Sequence, residues 1–244
     1  MPSVFKKGFK SVLARYFLHK FRIWDVRTAN AVDFFVANSE FIKKRIFKCY
    51  RRKAEVIYPP VDVARFQLQS DKSDFYLAAS RLVPYKKIDL IVEAFSLMPD
   101  KKLKVIGDGP QMKKIIAIAQ RFSNIEILGY QNDKVMVEHM QKAKAFVFAA
   151  EEDFGIIPVE AQACGTPVIA FGKGGCLETV QPNASGIHFK EQTTASLIDA
   201  VNRFENKEVP FEAAKIRENA ELFSIEAFRS KLMEFVESSV SKDL

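Results

Sequence analysis

A regular alternation of strand-like and helix-like segments begins near residue 75 and constrains the fold of this chain more than any other feature. Short apolar runs are separated by stretches in which apolar residues recur at helical spacing. Strands that alternate with helices predict an α/β fold, with a parallel sheet covered by helices on both faces. The predicted strands span 75–79, 103–106, 125–128, 145–149 and 167–171, and the predicted helices between them span 87–98, 110–121, 133–143 and 156–164.

The segments on either side of this region predict a domain organisation in three parts. Residues 1–53 contain a predicted helix at 3–28, a short strand at 34–37, and a basic helix that Asn38 or Ser39 caps and that runs to about residue 50. Residues 54–224 form the main domain, which opens with a strand at 55–58 stopped by two prolines. Further helices are predicted at 193–205, 210–221 and 225–240, and residues 225–244 form a C-terminal helical segment.

The positive charge is concentrated at the start of the chain. Of 37 Lys/Arg and 30 Asp/Glu, fourteen basic and three acidic residues lie in 1–53, so the rest of the chain is slightly acidic. Basic segments typically meet nucleic acid or anionic lipid. Large aromatic residues alternate with the charges of 3–28 at core-like spacing, so we expect no nucleic-acid partner. That helix either lies on a membrane surface or packs against a neighbouring domain, and the sequence leaves both alternatives open.

Other classes of protein are disfavoured by simple counts. The three cysteines have no metal-ligand spacing, so we expect no metal site and free thiols in a reducing compartment. The pattern of a secretory signal is missing, and no apolar run approaches the ~18 residues of a membrane-spanning helix. The expected location is the cytoplasm, with peripheral attachment to the inner face of the plasma membrane if helix 3–28 binds lipid.

Two loops at the predicted carboxyl edge of the sheet could hold an anion. Ligands of open parallel sheets bind beyond the carboxyl ends of the strands. The first loop places Arg81 and Lys86 between a strand and the following helix, where two cations suit a diphosphate. In the second loop, Gly107 and Gly109 allow close backbone approach, and Pro110 is expected to open the next helix. Each loop alone is equally compatible with a solvated basic loop or a plain turn.

A third loop carries carboxylates. Glu151, Glu152 and Asp153 follow a buried strand, and a helix is predicted to begin near Gly155. Glu160 falls one to two turns into that helix, on a side that could face the same cleft and accept ribose or sugar hydroxyls. The alternatives are compensation of the helix dipole and a solvated helix face. A fourth loop, residues 172–175, is also rich in glycine.

Taken together, these motifs resemble the family 4 glycosyltransferases of the GT-B fold, in particular the mannosyltransferase-like enzymes of lipopolysaccharide O-antigen and capsule assembly. The resemblance covers residues from about 15 to about 235. It rests on segments 36–39, 56–62, 80–86, 107–110, 152–161 and 165–170, and its most specific parts are the spaced Glu pair with its Phe-Gly core and the Arg-x4-Lys loop.

The resemblance implies a retaining, metal-independent transferase without a cofactor. Its substrates would be a nucleotide-activated hexose, with GDP-mannose as the leading expectation, and a lipid-linked or polysaccharide acceptor. Arg81 and Lys86 would hold the donor diphosphate, and Glu152 would lie beside the donor sugar. The loops at 107–110 and 129–130 would border the nucleotide base. The resemblance also implies donor-binding roles for Gly107, Gly109, Phe154, Gly155, Ile156 and Glu160.

One departure from the family pattern concerns the start of the chain. A GT-B enzyme has two Rossmann-like halves, and residues 1–53 match only the interdomain region of the first half. We therefore expect the Rossmann-like donor-binding half of such an enzyme, with the N-terminal half largely missing. The alternative function is a truncated or split-enzyme module that binds a nucleotide sugar but needs an N-terminal partner chain for activity.

Overall fold

The computed structural model describes residues 9–206 and 211–240. The predicted helix start at residue 3, the first residue of the helix predicted at 210–221, and the last four residues of the chain lie outside the described residues. Within them, the alternation of strands and helices from residue 75 onward is confirmed.

A parallel sheet of six strands forms the centre of the molecule, in the order β5-β4-β3-β6-β7-β8. Its fourth strand in sequence, β6, pairs with the first, β3, so the chain builds one half of the sheet outward and then returns to build the other half. The strands are β3 (Tyr76–Ala79), β4 (Leu103–Ile106), β5 (Ile125–Gly129), β6 (Ala145–Phe148), β7 (Val168–Phe171) and β8 (Gly186–Phe189).

Helices cover both faces of this sheet. Alternate residues of the central strands point to opposite faces, and both sets are buried: Tyr76 and Ala78 join one core cluster, Leu77 and Ala79 the other. The helices are α3 (Ile88–Ser96), α4 (Met112–Ala119), α5 (Asp133–Lys142), α6 (Ile156–Ala163), α7 (Cys176–Thr179), α8 (Thr194–Glu205), α9 (Ala213–Glu221) and α10 (Ile225–Val240).

A smaller unit precedes the sheet. It contains α1 (Phe9–Ala29), β1 (Phe35–Ala37), α2 (Glu40–Tyr50) and β2 (Ala54–Val56), and β1 pairs with β2 in parallel. The Ser39 hydroxyl accepts a hydrogen bond from the Ile42 N–H, which confirms the predicted cap of α2. The β1–β2 pairing crosses the domain boundary that the sequence predicts between residues 53 and 54.

Three details differ from the sequence predictions. Strand β8 at the edge of the sheet was not predicted, because its four residues include a glycine and a histidine and give little apolar signal. Pro110 does not open α4: it lies in a turn, and the helix begins at Met112. The strand predicted at 55–58 ends at Val56 in the structure. Ile57 lies beyond the strand, although its N–H still donates a hydrogen bond to the Ala37 carbonyl.

Candidate functional site

A cleft of about 830 Å³ lies between the loops that follow β3 and β6. These two neighbouring strands continue into opposite halves of the sheet, so the cleft occupies the topological switch point, where open parallel sheets bind their ligands. The structure brings Arg81, Lys86 and Glu152 together here, as the sequence predicts. Phe154, Gly155, Ile156 and Glu160 also line the cleft.

The two basic residues of the first loop differ in their surroundings. Arg81 is exposed at the cleft mouth and forms no ion pair with any residue of 9–206 or 211–240. Lys86 ends a short 3-10 turn, and its ammonium forms an ion pair with the Glu152 carboxylate. Both partners are largely buried, with side-chain exposures of 15% and 19%. Burial lowers the pKa of Lys86 below its usual value, with a smaller opposing effect from Cys176.

The Glu152 loop is held by the loop that follows the neighbouring strand, β7. The Gly175 N–H donates to the Glu152 carbonyl at 2.8 Å, and Glu152 and Gly174 form a parallel bridge outside the main strands. The glycine-rich fourth loop therefore supports the backbone of the acidic loop. Glu152 therefore enters the cleft from a backbone that is hydrogen-bonded to this loop.

The start of α6 supplies hydrogen-bond donors to the cleft. Gly155 precedes the helix with φ of +90°, a conformation that glycine adopts readily and other residues rarely do. The first N–H groups of a helix have no partner within it, so those of Ile156 and Ile157 are available at the cleft wall. The Phe154 ring is buried and packs against Tyr58 and Phe223, which leaves its backbone as the part that faces the cleft.

Glu160 lies on the cleft-facing side of α6, as predicted. Burial raises the pKa of its carboxyl above the usual 4.5, while the nearby Arg65 opposes this shift and Asp133 adds to it. A carboxylate held in this way gains from hydrogen-bond donors brought by a ligand, because donors such as ribose hydroxyls replace the water lost on burial.

Gly107 and Gly109 are not among the residues that line this cleft. They lie behind the first loop, and a Cβ on Gly107 would stand 1.9 Å from the Ser80 carbonyl oxygen. The Leu82 N–H donates to the Asp108 carbonyl at 2.8 Å, which joins the two loops. The close backbone approach that the sequence predicts is thus made to the loop carrying Arg81.

No role was predicted from the sequence for several residues that line the cleft. Asn38 and Pro59 reach the cleft from the small N-terminal unit, and Tyr85 stands at its mouth with 59% of its surface exposed. Glu151, which lies outside the motif of the spaced Glu pair, lines the cleft as well. Asn38 and Pro59 belong to segments that carry the family resemblance, but only the packing of the N-terminal unit shows that they face the loops after β3 and β6.

Two features are absent from the part of the chain that the structure describes. No cluster of three or more His, Cys, Asp or Glu side chains suitable for a metal ion occurs there. None of the helices in that part of the chain has both the length and the apolar character needed to cross a membrane. Cys49, Cys164 and Cys176 are free thiols, as predicted.

An open, doubly wound α/β sheet with a charged cleft at its switch point defines a class of proteins that bind ligands between the loops of two adjacent strands. Within that class, the model of the family Glycosyl transferases group 1 matches residues 61–223, which is the larger part of the chain. The chain belongs to this family.

Curated relatives support the assignment. An uncharacterized glycosyltransferase of Methanocaldococcus jannaschii is 30% identical over 201 residues, which are 81% of this chain and 55% of the relative. The alpha-1,3/1,6-mannosyltransferase ALG2 of Saccharomyces cerevisiae is 25% identical over 280 aligned residues, covering 88% of this chain and 56% of that protein. The chain thus spans about half the length of these relatives.

Solved structures share the fold. The Anabaena protein HepE in complex with UDP and glucose superposes with a TM-score of 0.73 at 22% identity. The match covers 89% of this chain and 66% of that one. At this identity the likeness establishes the fold alone. The structural neighbours are GT-B glycosyltransferases, which confirms the predicted fold class.

Proposed function

We propose that the cleft binds a nucleotide-sugar donor and that the chain serves a retaining, metal-independent hexosyl transfer of the family 4 type. The observation that carries the proposal is the arrangement of charges: Arg81 and Lys86 on one wall, Glu152 and Glu160 on the other, at the switch point of a group 1 glycosyltransferase domain. The cations suit a diphosphate and the carboxylates suit hydroxyl groups.

In the proposed reaction, the bond between the anomeric carbon of the sugar and the β-phosphate oxygen breaks. The electron pair stays on the nucleoside diphosphate, where Arg81 and Lys86 offset the developing negative charge in place of a metal ion. The acceptor hydroxyl attacks the anomeric carbon from the same face of the sugar and forms the new glycosidic bond, and its proton passes to the departing β-phosphate oxygen. Before the donor arrives, Lys86 is occupied by Glu152, so donor binding exchanges one anionic partner of this ammonium for another.

Mannose is the leading candidate for the sugar, and GDP-mannose for the donor. Support comes from the name of the yeast relative, a mannosyltransferase, and from the motif resemblance to mannosyltransferase-like enzymes. We propose a lipid-linked or polysaccharide acceptor in cell-surface glycan assembly, such as that of lipopolysaccharide. UDP-glucose is the competing donor, because HepE was solved with UDP and glucose.

Isothermal calorimetry tests donor binding directly. We expect the purified chain to bind GDP and GDP-mannose in the micromolar range and UDP and UDP-glucose at least tenfold more weakly. Tighter binding of the uridine nucleotides would replace GDP-mannose by a UDP-sugar. No binding to any of the four ligands would contradict the proposal.

A second candidate function is a nucleotide-sugar-binding module that requires a partner half for turnover. The β1–β2 sheet has two strands, whereas parallel sheets normally have more and are covered on both faces. Phe34 and Val36 on and beside β1 are 41% and 44% exposed. A groove of about 890 Å³ also opens beside this sheet, between α2 and α10. These features favour additional strands next to β1, supplied by another polypeptide segment.

Helix α1 points to the same partner. Its exposed apolar residues are distributed around the helix: Tyr16 and Ile23 lie on a different side from Phe17 and Trp24. A helix that lies on a membrane separates its apolar and charged faces, whereas a helix that is apolar on several sides is normally buried in protein. We therefore favour packing against a protein partner and expect the chain to stay unbound in flotation with anionic vesicles.

Turnover separates the two candidate functions. If the chain is a complete enzyme, it hydrolyses or transfers GDP-mannose by itself. If it is a module, it binds the donor with little turnover and gains activity when co-expressed with the polypeptide encoded directly upstream. Donor binding without turnover, unchanged by that co-expression, would contradict both candidates.

A further inference from the structure

Glu178 in α7 makes contacts with segments that are distant in sequence. Its carboxylate accepts a hydrogen bond from the Glu40 N–H at 2.7 Å and another from the Phe41 N–H at 3.1 Å. A third comes from the Tyr58 hydroxyl, also at 3.1 Å. The donors lie 138, 137 and 120 residues away in sequence, so this carboxylate joins the sheet domain to the small N-terminal unit.

These hydrogen bonds are of a strong kind. The first N–H groups of a helix lack partners within it, and its N-terminus carries a partial positive charge. In α2, the Ser39 hydroxyl satisfies the Ile42 N–H, and Glu178 satisfies the two N–H groups before it. A carboxylate bound by two amides and a hydroxyl forms charge-assisted bonds, which exceed neutral ones in strength.

The Tyr58 hydroxyl keeps its proton over the physiological pH range. Burial, together with the neighbouring Glu178, raises the pKa of Tyr58 to about 12, so its hydroxyl remains a donor. The ring packs on Phe154 with centroids 5.8 Å apart. Tyr58 therefore touches both the acidic loop of the cleft and the carboxylate in α7.

Both ends of this connection adjoin cleft residues. On the N-terminal side, the donors lie directly beside Asn38 and Pro59, the two residues by which the small unit reaches the cleft. On the other side, α7 follows Gly174 and Gly175, whose backbone holds the Glu152 loop. One carboxylate thus connects the segments that carry two walls of the cleft.

We propose that Glu178 is a positioning residue, which holds the wall of Asn38 and Pro59 against the wall of Glu152 and Phe154 and so shapes the cleft for its ligand. This inference rests on the proposed donor binding. Glu178 does not line the cleft and acts through the segments it joins. A ligand that spans both walls binds more tightly when the walls are already in place.

A second contact between the N-terminal unit and the sheet domain provides a matched control. Arg45 of α2 forms an ion pair with Asp153 of the acidic loop at 3.2 Å, but the two side chains are 53% and 51% exposed. Exposed pairs contribute little. Arg45→Met removes a bridge between the same two parts of the molecule without touching α7, and we expect donor affinity to stay within about twofold of the parent value.

Hydrogen exchange and calorimetry on the full chain test the proposal together. We expect Glu178→Ala to speed amide exchange in the peptide covering the start of α2, and to weaken GDP-mannose binding roughly tenfold, at the low end of typical coupling between sites. Glu178→Gln, which keeps the shape and one acceptor oxygen, should have an intermediate effect on both. If Glu178→Ala proves unstable, Glu178→Gln and Tyr58→Phe test the same contacts singly.

A double-mutant cycle separates positioning from general support of the fold. The combined loss of affinity in Asn38→Ala with Glu178→Ala should be smaller than the sum of the single losses, because Glu178 acts through the wall that carries Asn38. Faster exchange with unchanged donor affinity would overturn the positioning role, and so would additive losses. If the parent chain binds no nucleotide sugar, the proposed function fails. The rate of amide hydrogen exchange at the start of α2 in Glu178→Ala still decides whether Glu178 joins the two units.

Discussion

The contact between Lys86 and Glu152 shows how single residues define the cleft. Removing two charges from water is costly, and the pair offsets this cost only while both partners remain. A bound diphosphate would supply Lys86 with a new partner and release Glu152 toward the sugar. The charges of this pair are therefore balanced in the free protein, and a bound ligand would rearrange them.

Substitution of the two cations should weaken diphosphate binding. We expect Arg81→Ala and Lys86→Met each to cost on the order of 1.5–3 kcal/mol in GDP affinity, because each removes a charged hydrogen-bond donor. Calorimetry measures the change. Lys102→Met, at the amino-terminal edge of the sheet and 68% exposed, is the control and should leave affinity unchanged. Parent-like GDP affinity in both cleft variants would remove the diphosphate assignment.

Glu160 should contribute to binding at the expense of stability. Its folded-state pKa is raised above 4.5, so its ionised form destabilises the fold, and stability is lost as pH rises through that pKa. Glu160→Gln is expected to raise Tm at pH 7 on the order of 2 °C and to weaken GDP binding. Well below pH 4.5 the carboxyl is neutral in both states and the difference in Tm should vanish.

The exposed Glu138→Gln on α5 serves as the comparison for these Tm measurements, since its carboxylate is in water in the folded and unfolded chain. A lower Tm for Glu160→Gln at pH 7 would show that the ionised carboxylate stabilises the fold. That result would contradict the sign of the expected effect.

At the scale of elements, the loops of the cleft depend on one another. Gly107 has φ of +141°, and its backbone lies against the Ser80 carbonyl. We expect Gly107→Ala to lower Tm by several degrees and to displace the Arg81 loop, with a loss of GDP affinity, because backbone must move to admit the Cβ. Thermal unfolding and calorimetry report the two effects.

Gly129→Ala provides the matched substitution. Gly129 also has positive φ, +69°, but a Cβ there would have no neighbour within 4 Å. Only conformational strain of about 1 kcal/mol is expected, with a smaller loss of Tm than in Gly107→Ala. Equal effects of the two substitutions would mean that close packing against the first loop is unimportant.

Much of the element structure could be predicted from the sequence, since buried parallel strands are short apolar runs and the helices between them have strong periodicity. The five predicted strands of the main sheet lie within one residue of the observed ones at each end. Edge strand β8 was not predicted, because a strand at the edge of a sheet needs fewer apolar residues than a central one. The roles of Tyr58 and Glu178 could not be predicted, because they depend on packing between segments more than 100 residues apart.

At the scale of the whole molecule, the N-terminal unit exposes an unusual amount of apolar surface. Phe17, Phe21 and Trp24 in α1 are 51%, 62% and 63% exposed, and surfaces of this kind normally meet a partner. We expect the isolated chain to self-associate at high concentration. Changing these three residues to serine should restore a monomer in sedimentation experiments while GDP affinity stays unchanged. Persistent association of the triple variant would place the contact elsewhere.

The strand order has a kinetic consequence. Strands β3 to β5 and β6 to β8 each form a sheet from neighbouring segments of chain, and only the β3–β6 pairing joins them. Local contacts form sooner than distant ones, and protein folding often proceeds in such cooperative units. Lys86 belongs to the first unit and Glu152 to the second. During refolding, the ability to bind nucleotide should therefore return later than helical circular dichroism, when the two half-sheets meet.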